Sequence, residues 1–403
     1  MEEKVKNLAA RLYPKRVATL FDIFLKDESI GGKLILVAAL LSLVVVNSPL
    51  SDEFNHFWQL PFSIGLGSWS LSLDLRHWVN QGLMAFFFLV VGLEIKRELI
   101  KGELRVIKNA ILPIGAALGG MLIPALIYVV FNLNAGALHG WGIPIATDIA
   151  FAVAVLSLLS NRVPVPLKIF LLTLAIADDI GAIFVIALFY AEIINYWYLA
   201  ASFFLTIGVF IFRKRLTYRL LLVSLLGILL WATTHLSGIH ASIVGAVMGL
   251  IAPVARSNDR VGISEKAEKL FLPFTTFFIL PIFAFANAGF PISTNALTTN
   301  RSILWGAFFG LVLGKVVGIT LASWLLVRLK VAQLPTGVVW KHIVGIGFIA
   351  GIGFTVSIFI TELAFSDNQS FVNTAKVGIF IASATSALLG YTVLRSVKSI
   401  KSA

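Results

Sequence analysis

The chain has 403 residues, of which 58% are hydrophobic and only 13% charged, with a mean hydropathy of +0.93. Soluble domains carry about 25% charged residues, so these values exclude a water-soluble fold and a disordered one. The net charge of +12 raises the question of where the basic residues lie, and the absence of cysteine excludes disulfide, thiolate and cysteine–zinc chemistry.

Residues 1–29 carry Lys4, Lys6, Arg11, Lys15, Arg16 and Lys26 and have no clean apolar core with a cleavage site. They do not read as a signal peptide; an amphipathic cytoplasmic segment fits better. From 30 to 394 the chain reads as one transmembrane domain, because a span needs about 20 mostly apolar residues. Such runs fall near 30–47, 78–95, 109–131, 142–160, 167–190, 197–212, 217–236, 239–254, 273–290, 303–326, 342–364 and 373–394. Residues 395–403 form a short cytoplasmic tail. The expected fold is an all-α polytopic membrane protein of about twelve helices.

All but four of the 32 basic residues lie at the two termini, in the loops on one side of this arrangement or, like Lys33, Lys168 and Arg219, at the span ends on that side. The exceptions are Arg76 and Arg301 in opposite loops, and Lys315 and Lys376 inside spans. The positive-inside rule then places both termini in the cytoplasm. The basic balance is a topology signal rather than a nucleic-acid footprint. Lys376 falls near the outer end of its span, where a long side chain can snorkel to water.

One outer loop has a pattern of its own. Residues 65–75 alternate polar and apolar side chains, which reads as a strand or hairpin. Its edge could pair with a second subunit, or the segment could simply cap the loop.

A charged side chain at mid-bilayer costs about 2.5–3.5 kcal/mol on insertion scales, so Asp148, Asp178, Asp179 and Lys315 are functional candidates. Asp178 and Asp179 are adjacent near the middle of the fifth span. Carboxylates this close repel when both are ionised and titrate as a coupled pair. They can hold protons, or release them and bind a hard cation through oxygen. Cation–proton exchange follows if both ligands compete for the same oxygens. Asp148 has Pro144 and Thr147 beside it in span 4, and span 11 carries Gly345, Gly347, Gly351 and Gly353. Proline disturbs a helix, and the glycines favour an interruption, although close packing by small residues also accounts for them.

The triplets at about 109–190 and 303–394 start from opposite sides, and each has a suspect helix at its centre. Interrupted helices in matching positions of inverted halves point to a transporter site. Broken helices leave half-dipoles of both signs at mid-membrane. Asp148 suits the positive ends and Lys315 the negative ends, although Lys315 could instead pair with Asp178.

These residues resemble the bacterial NhaA sodium/proton antiporters. The resemblance is carried by Ala-Thr-Asp-Ile-Ala-Phe-Ala at 146–152, Ala-Asp-Asp-Ile-Gly-Ala-Ile at 177–183 and Val-Gly-Leu-Glu-Ile-Lys-Arg-Glu-Leu at 91–99. Gly-Ile-His-Ala-Ser at 238–242, Phe-Ala-Phe-Ala-Asn-Ala-Gly at 283–289, Gly-Lys at 314–315 and Gly-Ile-Gly-Phe-Thr-Val-Ser-Ile-Phe-Ile at 351–360 extend it. It covers about residues 20–395. It implies twelve helices, an inverted repeat with two interrupted crossing helices, and a small extracytoplasmic β-hairpin near residues 60–77 that joins a homodimer. It also implies electrogenic export of sodium or lithium in exchange for more protons, regulated by pH, with no cofactor. By motif, Asp179 is the primary sodium ligand and Asp178 its partner in binding and proton exchange. Thr147 and Asp148 border the site, and Lys315 pairs with or counterbalances the aspartates.

Glu94, Glu98 and Glu268 match the family's acidic positions at the cytoplasmic mouth, where pH regulation is placed; each could instead be a carboxylate paired with a local base such as Lys96, Arg97 or Lys269. Lys269 and Leu272 stand where histidines can occur, and Gln81 where an acid can, which bears on the pH profile rather than the ion site. An unperturbed histidine has a pKa suited to pH sensing, which makes His240 a candidate sensor, or it serves as a buried hydrogen-bonded side chain. Other classes fit less well. An intramembrane aspartyl protease would need a Gly-x-Gly-Asp motif that the chain lacks, and a sodium-coupled symporter would need a larger substrate cavity. Nothing resembles a repeated carbonyl filter of a channel or an ATP-binding Walker motif.

Overall fold

The computed structural model describes residues 29–66, 69–159, 162–191, 193–216, 219–253, 263–292 and 300–397. The expected N-terminal surface helix lies outside the described residues, as does most of the C-terminal tail. Each of the twelve apolar runs is occupied by helix. Among the described residues, seven helices are long and apolar enough to cross a bilayer, and Trp340–Ala350 with Phe354–Ala364 passes as one span bent by 46°.

Two compact units are present. One is built from Leu50–Lys101 and Ile183–Ala286. Its helices Met84–Lys101 and Ile243–Ile251 pack closely because small residues face each other. A Cβ on Gly245 would run into the Ala85 carbonyl, and one on Gly92 into that of Ala246. Gly238, at φ +84, turns the chain after Leu220–Leu236 where a side chain would meet the Ile193 carbonyl. The same unit carries the hairpin, with β1 (Pro61–Leu66) antiparallel to β2 (Trp69–Asp74) and Ile64 opposite Leu71. The strand pattern read from 65 onward therefore begins four residues earlier, at Pro61. Phe62-Ser63-Ile64-Gly65-Leu66 carries the same alternation, with Phe62 and Ile64 both about half exposed, and the whole hairpin falls within the 60–77 expected from the resemblance.

The second unit comprises Glu28–Pro49, Gly102–Ala182 and Asn287–Ala403. It holds two helix triplets, each in the order long helix, broken helix, long helix. Ile107–Asn132 corresponds to Arg301–Arg328, and the helix beginning at Val165 to Gln369–Arg395. Large apolar side chains face outward here. Leu118, Leu122, Leu126 and Val130 form an exposed line at four-residue spacing on Ile107–Asn132, while Ala116, Ala117 and Gly120 are buried. A helix presenting its bulk to lipid packs inward through small residues. Accordingly, Gly119 and Gly318 meet backbone to backbone between the two long helices, each facing the other's carbonyl.

Both suspected interruptions exist. The first span runs as a 3-10 helix over Leu138–Ile145, opens at 146–148 and resumes at Ile149–Ser157. Pro144 lies inside the 3-10 segment rather than at the opening. The helix restarts because Asp148 is its N-cap, with extended backbone (φ −89, ψ 101) and a carboxylate accepting from Phe151 N at 3.2 Å. The second span opens at 351–353. Its four glycines divide by role. Gly345 and Gly347 sit within helix, against Leu394 and the Val316 backbone, whereas Gly351 and Gly353 flank the opening. A Cβ on Gly353 would lie 3.1 Å from the Ala146 carbonyl, so the glycines let the two openings cross.

Candidate functional site

The openings cross in contact. Asp148 N donates to Ile352 O at 2.6 Å, and Ser357 Oγ donates to Ile143 O at 2.7 Å. Asp148 reaches from one broken helix to the other. Its Oδ1 caps its own half-helix, while Oδ2 accepts from Thr355 N at 3.0 Å and Thr355 Oγ1 at 2.6 Å. One buried carboxylate thus faces the positive starts of both half-helices, as expected of it. Thr355 escaped sequence reading, because a threonine two residues past a glycine break carries no charge to attract attention.

Lys315 resolves the alternatives left open above, because its ammonium does both. Fully buried, it donates to Ile145 O at 2.7 Å, at the negative end of the 3-10 segment. It also bonds Asp178 Oδ2 at 2.5 Å and Thr147 Oγ1 at 3.0 Å. Three donors and three acceptors match an ammonium's full capacity. Lys315 follows directly on a π-helical segment, Gly310–Gly314, a feature frequent at functional sites. No apolar periodicity signals such a segment in sequence.

Thr147 Oγ1 lies 2.7 Å from Asp178 Oδ2 and 2.9 Å from Ala350 O. A hydroxyl has one hydrogen, so it serves one of these acceptors at a time. Asp178 is fully buried, and its second oxygen, Oδ1, is buried with no hydrogen-bond partner among the described residues. Asp179, the next residue, is buried as well. The structure therefore gathers Thr147, Asp178 and Lys315 directly, with Asp179 adjacent in the chain and Asp148 at the same crossing. The chemistry available is a carboxylate shared between a fixed cation and a hydroxyl, with one oxygen left for a proton or a hard cation.

Glu94, Glu98 and Glu268 form a separate cluster in the other unit. Arg97 bonds Glu268 directly and lies 3.4 Å from Glu98 and 3.7 Å from Glu94. Burial opposes the Arg97 charge, but Glu268, Glu94 and Glu98 together hold its guanidinium above the ordinary arginine range. His240 lies in the turn between Leu220–Leu236 and Ile243–Ile251, partly buried. Lys376 corrects an expectation. It does not snorkel to water; it is buried and paired with Glu362 at 2.7 Å, a partner one break-half away on Phe354–Ala364.

The family model described as Na+/H+ antiporter 1 matches residues 22–394. Among curated proteins, the chain is 40% identical to Na(+)/H(+) antiporter NhaA 1 of Clostridium beijerinckii, covering 99% of this chain and 98% of that protein. It is 43% identical to the NhaA antiporter of Vibrio cholerae, covering 94% and 98%, and 45% identical to that of Proteus mirabilis, covering 93% and 96%.

Proposed function

Since the chain belongs to the Na+/H+ antiporter 1 family, we propose that Asp178 and Asp179 are the site at which it exchanges sodium for protons. The protein is a multi-pass membrane protein and a sodium/proton antiporter, a secondary transporter rather than an enzyme. The observation that carries the site assignment is the unequal company of the Asp178 oxygens. Oδ2 is held by Lys315 and Thr147, whereas Oδ1 is buried without a partner among the described residues. A buried acceptor left unpaired is costly and is matched when a proton or a cation occupies it.

Formal charge gives the exchange its arithmetic. Two ionised aspartates and one lysine total −1. One sodium ion brings the cluster to zero, whereas two protons bring it to +1. Carrying different charge in the two directions makes the cycle electrogenic, and the membrane potential then helps drive sodium, or lithium, outward. Sodium binds the deprotonated pair from the cytoplasm, the broken helices shift, sodium leaves outside, and protons return.

The remaining assignments follow the same logic. Glu94, Glu98 and Glu268 around Arg97 form the pH-responsive cluster at the cytoplasmic mouth, and His240 is a further candidate. The hairpin offers unpaired strand edges for a second copy of the chain. The distribution of Lys and Arg supports cytoplasmic termini, and the bacterial relatives support an inner-membrane location.

Everted vesicles with an acidified interior test the assignment. Added sodium should dissipate the pH gradient with the unaltered protein and fail to do so with Asp179→Asn. A variant that works at the unaltered rate would reject the aspartate site.

A further inference from the structure

Lys376 and Glu362 form a buried pair of opposite charges outside the aspartate site. Lys376 Nζ lies 2.7 Å from Glu362 Oε1, with the lysine side chain 4% exposed and the glutamate 16%. Glu362 sits in the last turn of the half-helix Phe354–Ala364, and Lys376 in the N-terminal third of Gln369–Arg395. Both belong to the unit that holds Thr147, Asp148, Asp178, Asp179 and Lys315. Thr355, whose hydroxyl bonds Asp148 Oδ2, precedes Glu362 by seven residues. That spacing is two turns on one helix face and about 10 Å of rise, which sets the pair on the order of 15 Å from the aspartates.

Joining the two helices does not require these charges. Residues 365–368 connect them, and Asn368 N donates to Phe365 O at 2.9 Å. The Asn368 side chain caps the second helix by accepting from Phe371 N at 3.2 Å, and the Phe365 and Phe371 rings meet edge to face. A buried ion pair is also a weak source of stability, since well-packed apolar side chains in place of both partners are often as stable or more so. What the two residues supply is charge, in a region where charge reaches far. A unit charge about 15 Å away, at an effective dielectric of about 20, changes the affinity for a monovalent cation by about sixfold.

We propose that Glu362 sets the sodium affinity of the aspartate site by cancelling the charge of Lys376. Asp178, Asp179 and Lys315 total −1, which one sodium ion completes. Asp148 is matched by the two half-helix starts that it bonds, each about half a positive charge. Lys376 alone would add +1 to this surrounding and offset the charge that draws sodium in. With Glu362 at 2.7 Å the two form a dipole, whose field falls off faster with distance than that of a single charge. The −1 is then left for the transported ion. Lys376 in turn lies beside the C-terminal turn of Phe354–Ala364, where a cation suits the negative helix end. This inference rests on the sodium-exchange reading above.

The test measures half-saturating sodium in everted vesicles carrying E362Q, K376Q or both. E362Q leaves the lysine charge uncancelled and should raise it about fivefold. K376Q leaves the glutamate charge and should lower it about fivefold, and the doubly neutral variant should stay within about twofold of the unaltered protein. Sodium-dependent stabilisation of the purified proteins against heat reads the same affinity without transport and should follow the same order. Opposite shifts that cancel in the double variant separate charge from packing, because a packing defect moves both single variants one way. Unchanged or same-direction shifts in the single variants overturn the proposal. So does a double variant that departs from the unaltered sodium dependence, an arm that reads even where a stranded charge keeps a single variant from accumulating. Failure of the aspartate reading shows separately, as an Asp179→Asn protein that still exchanges.

Discussion

At the scale of single residues, Asp148, Asp178, Lys315 and Lys376 each have a definite structural counterpart. Asp148 accepts three hydrogen bonds from two half-helices. Removing its carboxylate leaves each of these donors in the protein interior without an acceptor, at about 1–3 kcal/mol per buried group. Asp148→Ala should therefore lower the thermal midpoint of the purified protein markedly. Asp148→Asn, which keeps an accepting oxygen, should fall between the two. Equal midpoints for the Ala variant and the unaltered protein would show that the crossing does not depend on this carboxylate. Sequence reading found Asp148, Asp178, Asp179 and Lys315 because a charge inside an apolar run stands out. It missed Thr355 and Glu362. The first is neutral, and Glu362 lies close enough to a span end to pass as interfacial. Lys376 was misplaced for the same reason: position along a span does not say whether a side chain faces lipid or its own protein.

At the scale of elements, the long helices were legible from hydropathy, and the breaks from glycine, proline and aspartate clusters. What decided the breaks was more specific than the presence of helix-disturbing residues. Pro144 sits inside a 3-10 turn, and it is Asp148, acting as an N-cap, that restarts the helix. Likewise only two of the four glycines in span 11 flank its opening; the others pack. The π-helical segment before Lys315 was not legible, because backbone register is set by tertiary fit. Close helix contact gives the next prediction. Gly119 and Gly318 face each other's carbonyls, so the two long helices can approach only while both lack side chains. Gly318→Val should force them apart, lowering the thermal midpoint and abolishing exchange. Gly208, beside whose would-be Cβ nothing lies within 4 Å, should tolerate alanine in the same assays. A Gly318→Val protein that melts and exchanges like the unaltered one would contradict the packing.

At the scale of the whole molecule, the +12 net charge separates into a topology signal and a few charges with chemical work. The basic residues outside the spans orient the chain, whereas Lys315 neutralises part of a buried aspartate pair. On the proposed assignment, one sodium ion completes the charge that Lys315 leaves on the aspartate pair, and protons and sodium compete for the same carboxylate oxygens. That competition is the central claim. It is tested most directly by adding sodium to the purified protein in weakly buffered detergent solution and following pH. Sodium should displace protons from the aspartates, acidifying the solution, and Asp179→Asn should release far fewer. No release from a protein that transports sodium, or undiminished release from the variant, would contradict a shared site.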